Sequence, residues 1–436
     1  MKYFFNKLSQ TQKRTLSFIN KKYNQLVFKY DPKLKDSKVF CISPWIQLHA
    51  QTNGYVGPCC MASMNETNYL SDLNENPNLI DAWNSEKMRQ LRLAMLKGEK
   101  SSICQNCYKY EELGNESERI KYNKDYVQYI DRVFKTDKTG SVGEEKVLLL
   151  DMRFSNKCNY KCRICDSSYS SLWYEDEQKL GKTPQLPSQK KMTISSDKEK
   201  FNDSYKEILS DVIKIHFAGG EPLIMEEHYQ VLEDLIKINH SDVVLSYNTN
   251  FSTLKYKNVE VIEQWKFFKT VDVWASLDGM FERGDYMRKG QRWNKIEENI
   301  LRFQKELPNG LLGINITVSL LNILHLPEFI KYLIEKLNIQ PIRINLYLLF
   351  GPSYYSVVQL PQEIKQKAAS ELLQFKTSYL SKISNGDHLS SHIDTVLNYM
   401  NSEAGKELEE FKYWTQKIDD LRGERFEEVF PELNRI

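Results

Sequence analysis

From residue 147 onward the apolar positions fall into short β-branched runs, separated by stretches whose apolar residues recur at helical spacing. The runs are 147–154 (VLLLDMRF), 212–217 (VIKIHF), 243–248 (VVLSYN), 271–277 (VDVWASL), 312–320 (LGINITVSL) and 342–349 (IRINLYLL). Helix-period segments lie between most of them, at 226–238, 257–268, 293–306 and 326–337. Strands alternating with helices predict a parallel sheet or barrel. Six such units suit an α/β fold built as a partial (β/α)6 TIM-like barrel over 147–355, with its chemistry at the C-terminal ends of the strands. A Lys-, Ser- and Asp-rich insertion near 180–205 reads as an exposed loop. The pattern after residue 356 predicts a helical C-terminal extension over 356–436.

Ahead of the barrel the pattern is different. Residues 39–120 mix strand-like pieces such as Trp45–His49 with one helix-like run, Ser85–Lys97, which Asn84 or Ser85 could cap and Gly98 could end. This predicts a small α+β module. Residues 121–146, ending in KTGSVGEE, read as a polar connector. Residues 1–38 form a basic segment, with ten Lys and Arg against Asp31 and Asp36. It is either a solvated helical face or a contact for an acidic substrate or partner.

Composition narrows the class. Of 436 residues 41% are hydrophobic and 27% charged, and the net charge is +2. Nothing in that balance calls for nucleic acid or a membrane surface as a partner. No apolar run approaches the roughly 18 residues that span a bilayer, and the first residues lack the apolar stretch of a signal peptide. The expected location is the cytoplasm, where thiols stay reduced. Eight cysteines there point to metal or redox chemistry rather than to disulfides.

The cysteines form two groups. Cys158-Asn-Tyr-Lys-Cys162-Arg-Ile-Cys165 has the spacing C-x3-C-x2-C and directly follows the first predicted strand, which puts three thiolates in a loop over the barrel mouth. Three thiolates can hold three irons of a [4Fe–4S] cube and leave the fourth iron open. Zinc is the alternative, although a structural zinc site takes four N or S ligands, and no histidine lies close in sequence. After the second run comes Ala218-Gly219-Gly220-Glu221-Pro222, after the third Asn248-Thr249-Asn250, and after the fourth Ser276-Leu277-Asp278-Gly279. Glycines let the backbone approach a ligand closely, Glu221 adds an acceptor for an ammonium, and the other two segments are either polar ligand contacts or strand-ending turns.

Together these segments resemble the radical S-adenosylmethionine (radical SAM) superfamily over most of residues 40–350. The resemblance implies that Cys158, Cys162 and Cys165 hold a catalytic [4Fe–4S] cluster. It implies that Gly219, Gly220, Glu221 and Pro222 bind the amino group of S-adenosylmethionine. Asn248, Asn250, Ser276 and Asp278 are then expected along its ribose and carboxylate. Val318 and Leu320 either pack on the adenine or belong to the core. His216 reads as a strand residue rather than a ligand. Ile164 departs from the pattern, since many relatives place an aromatic residue before the third cysteine. The implied chemistry is one-electron cleavage of S-adenosylmethionine to a 5′-deoxyadenosyl radical that takes a hydrogen atom from a substrate; the cofactor does the difficult step and the protein positions and shields it.

The first group comprises Cys41, Cys59, Cys60, Cys104 and Cys107. Four of them could close a metal site, with Cys104-Gln-Asn-Cys107 as the firmest pair. The order Cys41, Gly54, Cys59, then Trp83-Asn84-Ser85, Leu91-Arg92 and the late pair, resembles a SPASM or twitch auxiliary-cluster module. The resemblance implies an auxiliary iron–sulfur cluster on Cys41, Cys59, Cys104 and Cys107, with Cys60 as spare or substitute and zinc as the alternative metal. Such modules usually follow the barrel; here the module precedes it. His49 is either an outside ligand or a packed histidine.

The expected activity is that of a radical SAM enzyme acting on a peptide or protein, supplied with electrons by a donor such as flavodoxin or ferredoxin. A dehydrogenase or epimerase of a sugar or other small molecule is the alternative within the same chemistry. A non-catalytic protein that uses metals for stability is the alternative outside it.

Overall fold

The computed structural model describes residues 34, 36–112, 114, 116–184 and 189–433. The basic segment predicted over 1–38 lies almost entirely outside them. The chain forms two compact units, Met1–Met152 with Ile194–Ile213, and Arg153–Thr193 with Lys214–Ile436.

In the first unit, strand β1 (Gln47–Ala50) runs antiparallel to β2 (Tyr55–Gly57), which pairs with β3 (Ser71–Asp72). On its other edge β1 pairs in parallel with β4 (Leu149–Met152), with His49 opposite Asp151. The first of the six predicted strands therefore belongs to this unit. The helix Glu86–Lys97 starts on the Ser85 hydroxyl, which accepts from the Met88 amide, and stops at Gly98 in the left-handed region (φ 80°). It buries Met88, Leu91, Arg92 and Met95, one face at helical spacing. Arg92 is fully buried, yet it is not an orphan charge. Its guanidinium donates to the carbonyls of Pro44, Trp83 and Gly140 and to Asn84 Oδ1, which ties the helix to two loops.

Two expectations change here. The supposed connector 121–146 carries ordered elements, with helices at Glu118–Asp125 and Asp131–Phe134. Asn123 explains part of it: its side chain accepts from the Ile42 amide and donates to the Phe40 carbonyl, both buried. The supposed exposed loop near 180–205 contains most of the helix Lys198–Leu209, capped by Asp197. Phe201, Ser204, Tyr205, Ile208 and Leu209 form its buried face, a stripe hidden in sequence by the surrounding Lys and Asp.

The second unit is a mixed α/β structure on a parallel sheet. A two-residue strand β5 (Lys161–Cys162) precedes five parallel strands, β6 (Lys214–Phe217), β7 (Val244–Thr249), β10 (Thr270–Ser276), β12 (Leu311–Val318) and β13 (Ile344–Leu348), which neighbour each other in that order. Helices Glu226–Lys237, Trp293–Glu306 and Leu326–Glu335 occur where the spacing predicts them. The predicted helix 257–268 shortens to Val261–Trp265, because β8 (Lys255–Tyr256) and β9 (Val259–Glu260) form a hairpin turning at Lys257 in the left-handed region (φ 52°). Helices Gln362–Ser378, Gly386–Met400 and Leu408–Arg422 follow the last strand.

Alternation along the strands gives the sheet two unlike faces. Val271, Val273, Ala275, Ile314, Ile316, Ile344 and Leu346 are buried on one. Asn248, Asp272, Trp274, Ser276, Asn315, Thr317, Asn345 and Tyr347 occupy the other, all but Tyr347 half-buried. There the Asn315 amide donates to Asn248 Oδ1 and the Asn345 amide donates to Asn315 Oδ1, each at 3.1 Å. Arg343 pairs with Asp272 at 2.5 Å and lies 4.0 Å over the Trp274 ring.

Candidate functional site

The C-x3-C-x2-C loop is built by contacts that its own sequence does not contain. Strand β5 pairs antiparallel with β11 (Arg288–Lys289), which sets Cys162 opposite Arg288. The Arg163 amide donates to the Met287 carbonyl (2.8 Å), the Trp173 indole donates to the Cys162 carbonyl (2.9 Å), and the Ser170 hydroxyl donates to the Tyr160 carbonyl (2.6 Å). Held this way, Cys158, Cys162 and Cys165 line a single cleft of about 290 Å³.

Gly219, Gly220, Asn248, Asn250 and Ser276 line the same cleft, as does Ile164. The glycines are there for space and conformation. Gly219 has φ 113°, and a Cβ on Gly220 would sit 2.1 Å from the Lys157 carbonyl oxygen, against the backbone of the cysteine loop itself. Asn250 donates to Asn159 Oδ1 at 2.8 Å, within the same loop.

Five residues expected beside these do not line the cleft. Glu221 is fully buried, and its carboxylate is consumed internally: Thr249 Oγ1 and the Leu223 amide donate to Oε1, and the Asn250 amide donates to Oε2. It joins the ends of β6 and β7 instead of presenting an acceptor to a ligand. Pro222 opens the short 3-10 turn Pro222–Ile224 and is buried. Asp278 is buried, paired with Arg288 Nε at 2.9 Å and accepting from the Thr317 amide at 2.9 Å. Val318 and Leu320 are core residues, 0% and 1% exposed. His216 sits in β6 with its ring 3.1 Å from the Ser246 hydroxyl.

Arg288 was not visible in the sequence pattern, since it lies far downstream of the cysteines and carries no motif spacing. The structure sets it in the cleft wall, with Nη1 3.8 Å from Cys162 Sγ and its charge balanced by Asp278. Arg153, Tyr160 and Tyr169 line the cleft too.

Electrostatics fit a bound cation cluster. Burial pushes the Cys158 thiol up to about 12, with Cys162 and Glu221 adding to it. Burial also raises Cys162, against the pull of Arg288, and it drives Cys165 well above the ordinary thiol range. Three half-buried thiols with raised pKa values would stay protonated on their own; a bound iron cluster would replace those protons and provide the missing positive charge. The donor set, three thiolates and an open side of the cleft, matches a [4Fe–4S] cluster with one free iron.

In the first unit, Cys41, Cys59, Cys104 and Cys107 line one largely apolar cavity with Pro44, Pro58, Met61, Met95 and Ile103. Burial raises Cys41, Cys59 and Cys104, the last to about 12. Cys60 does not line that cavity. Nor does His49, which is fully buried with Nδ1 2.9 Å from Asp151 Oδ2. Arg119 lines the cavity, its Nε and Nη2 bound to Glu111 and its Nη1 donating to the Phe40 carbonyl. Among the described residues no three His, Cys, Asp or Glu side chains converge on a single metal ion; cluster ligands, each bound to a different iron, need not.

Comparison with known proteins places these cysteines within two matched regions. The Radical SAM superfamily profile matches residues 152–333, and that of SPASM, an iron–sulfur cluster-binding domain, matches residues 41–108. The radical SAM cyclopropyl synthase TigE of Paramaledivibacter caminithermalis is 27% identical over 48% of this chain and 43% of its own length. An uncharacterized protein of Methanocaldococcus jannaschii is 26% identical over 42% of this chain and 58% of its own. The chain thus spans about half the length of the curated relatives it matches. Among solved structures, anSMEcpe with bound AdoMet and the Cp18Cys peptide aligns with 21% identity and a TM-score of 0.37, over 56% of this chain and 61% of that one. Residues 41–108 thus match a SPASM iron–sulfur cluster-binding domain and residues 152–333 a radical SAM domain, matches that imply S-adenosylmethionine, [4Fe–4S] and auxiliary iron–sulfur cofactors.

Proposed function

We propose that the protein is a radical SAM enzyme that acts on a peptide or protein. The observation that carries this reading is the shared cleft: three thiols, the Gly219–Gly220 backbone, Asn250, Ser276 and Arg288 line one space. When bound, S-adenosylmethionine and the [4Fe–4S] cluster supply reductive cleavage to a 5′-deoxyadenosyl radical, which abstracts a hydrogen atom from the substrate.

The chain's own residues do the binding and shielding. Cys158, Cys162 and Cys165 hold the cluster. The Gly219–Gly220 backbone, free of side chains, accepts the amino group of the cofactor's methionine part. Arg288, a guanidinium in the cleft wall, takes its carboxylate. Asn248, Asn250 and Ser276 offer hydrogen bonds to the polar remainder. Glu221 and Asp278 act one layer back, by holding the Asn250 backbone and the Arg288 guanidinium in place.

The polar face of the sheet supports a substrate rich in hydrogen-bonding groups. Asn248 of the cleft continues into Asn315 and Asn345, whose amides offer both donors and acceptors to a peptide chain. The same amides suit the hydroxyls of a sugar, so a small-molecule dehydrogenase or epimerase is the second reading. The SPASM domain holds its cluster on Cys41, Cys59, Cys104 and Cys107 and occupies 39–120, ahead of a barrel domain over 147–355. Flavodoxin or ferredoxin suits the electron donor, and the cytoplasm suits the location. Among the described residues no helix is long and apolar enough to cross a membrane.

Formation of 5′-deoxyadenosine tests the activity. Protein reconstituted anaerobically with iron and sulfide, then given S-adenosylmethionine and dithionite, is expected to release it. The Cys158→Ala, Cys162→Ala, Cys165→Ala variant is not. Equal release by both would sink the reading.

A further inference from the structure

Two arginines, Arg288 and Arg422, flank the Cys162 segment, the first 3.8 Å from the Cys162 sulfur and the second stacked on Trp173, and they are not alike. Arg288 is neutralised in contact by Asp278 at 2.9 Å. Arg422 ends the helix Leu408–Arg422 with its side chain 2% exposed, and none of its three nitrogens makes a hydrogen bond among the described residues. Its guanidinium lies 4.4 Å over the Trp173 ring, whose indole nitrogen in turn donates to the Cys162 carbonyl. The nearest carboxylate oxygen, Asp176 Oδ2, is 3.9 Å away and already accepts from Lys161 at 2.7 Å. Arg163, the neighbouring buried cation, is satisfied by Asp419 and Glu424.

A buried guanidinium without a hydrogen-bonded partner is costly, and stacking on one indole offsets only part of that cost. What changes the balance is negative charge close by. A [4Fe–4S] cluster on three thiolates is anionic when oxidised and gains a further negative charge on reduction. Arg288 and Arg163 each touch a carboxylate at hydrogen-bond distance, whereas Arg422 has Asp176 only at 3.9 Å.

Resting on the reading that Cys158, Cys162 and Cys165 hold the cluster, we propose that Arg422 is a positioning residue for the cluster's electron. Its guanidinium, stacked on Trp173 and hydrogen-bonded to no carboxylate, stabilises the reduced state and raises the reduction potential of that cluster. The couple is the one-electron reduction of [4Fe–4S]2+ to [4Fe–4S]+, and no proton need move. A unit charge acting over about 10 Å through an effective dielectric of about 20 changes such an equilibrium by roughly tenfold.

The test is a mediated redox titration of the reconstituted full chain with dithionite, read by electron paramagnetic resonance. The reduced signal that changes on addition of S-adenosylmethionine identifies the cluster concerned. Arg422→Met is expected to lower its reduction equilibrium about tenfold, about 59 mV for a one-electron couple. Arg422→Lys keeps the charge and is expected to stay near the wild-type value. Water admitted by mere loosening would solvate the more anionic reduced cluster and raise the potential, the opposite of the shift expected for Arg422→Met. An unchanged potential in Arg422→Met with full iron content overturns the proposal. So does a shift in Arg422→Lys as large as in Arg422→Met. If Arg422→Met loses its iron, Arg422→Gln is titrated in its place: a lower potential supports the proposal, and an unchanged or higher one overturns it. Absence of any S-adenosylmethionine-responsive signal in the wild type overturns the site reading itself, and this inference with it.

Discussion

Thr249 donates a 2.6 Å hydrogen bond to Glu221, and the carboxylate it holds faces into protein, away from the cleft. The end of β7 is thereby fastened to the end of β6, and the two asparagines flanking Thr249 are left to line the cleft. The carboxylate is an internal strut, and its burial has a consequence for pH.

Burial raises the Glu221 carboxyl from 4.5 to about 7, with the hydrogen bonds from Thr249, Asn250 and Leu223 pulling the other way. A carboxyl whose folded pKa lies above its unfolded one contributes stability that is complete below 4.5 and is lost as pH rises through about 7. Cluster-free wild type is therefore expected to lose about 3 kcal/mol relative to Glu221→Gln between pH 4.5 and pH 8. Urea denaturation of both proteins across that range checks it, and a gap independent of pH would contradict it.

Gly220→Ala tests the close approach of the two loops. The new Cβ would overlap the Lys157 carbonyl, one residue before the first cluster cysteine. Affinity for S-adenosylmethionine is expected to fall by roughly tenfold or more, a cost of at least about 1.4 kcal/mol. Calorimetric titration of the reconstituted variant reads it, with iron content measured alongside.

Arg288→Leu removes the guanidinium from the cleft wall and leaves Asp278 buried without its ion-pair partner. A hydrogen bond to a charged group is worth about 1.5–3 kcal/mol, so binding of S-adenosylmethionine is expected to weaken roughly ten- to a hundredfold. Arg288→Leu, Asp278→Leu removes both charges and is expected to recover folding stability but not affinity. Recovery of affinity by the double variant would assign Arg288 a structural role alone.

Cys104→Ser and Cys107→Ser together should remove one cluster and spare the other, because these thiols line the cavity of the first unit and the C-x3-C-x2-C thiols line the cleft of the second. Bound iron is expected to drop to about half of the wild-type content, four irons remaining if each cluster holds about four. The signal that responds to S-adenosylmethionine is expected to persist. Colorimetric iron analysis and electron paramagnetic resonance read the two outcomes separately.

Arg92→Met keeps the apolar stem of the side chain and removes its donors. Carbonyls of Pro44, Trp83 and Gly140 then lose their buried partner. Each unsatisfied buried group costs about 1–3 kcal/mol, so the first unit is expected to lose about 3 kcal/mol or more of stability. Chemical denaturation followed by tryptophan fluorescence would show it.

Local relationships could be read directly from the order of residues. Cys158, Cys162 and Cys165 lie within eight positions of one another, so any loop that holds one holds all three nearby. The alternation of β-branched runs and helix-period segments anticipates the parallel strands, since a period of two or of 3.6 is a property of the chain itself. Ser85 and Gly98 mark the ends of one helix for the same reason: caps act on the nearest backbone groups.

Relationships that cross the fold could not be read this way. Which of two adjacent polar residues at a strand end turns toward the cleft depends on what it packs against. Asn250 lines the cleft and Glu221 does not, because Thr249 and two backbone amides claim the carboxylate first. The helix Lys198–Leu209 looked like a loop because its apolar stripe is sparse, and only burial of Phe201 and Tyr205 makes it stable. Arg288 reaches the Cys162 sulfur, and Arg422 the Trp173 ring beside it, from far along the chain. Their charges matter there because tertiary packing removes the water that would otherwise screen them, and no spacing within a single segment encodes that exclusion.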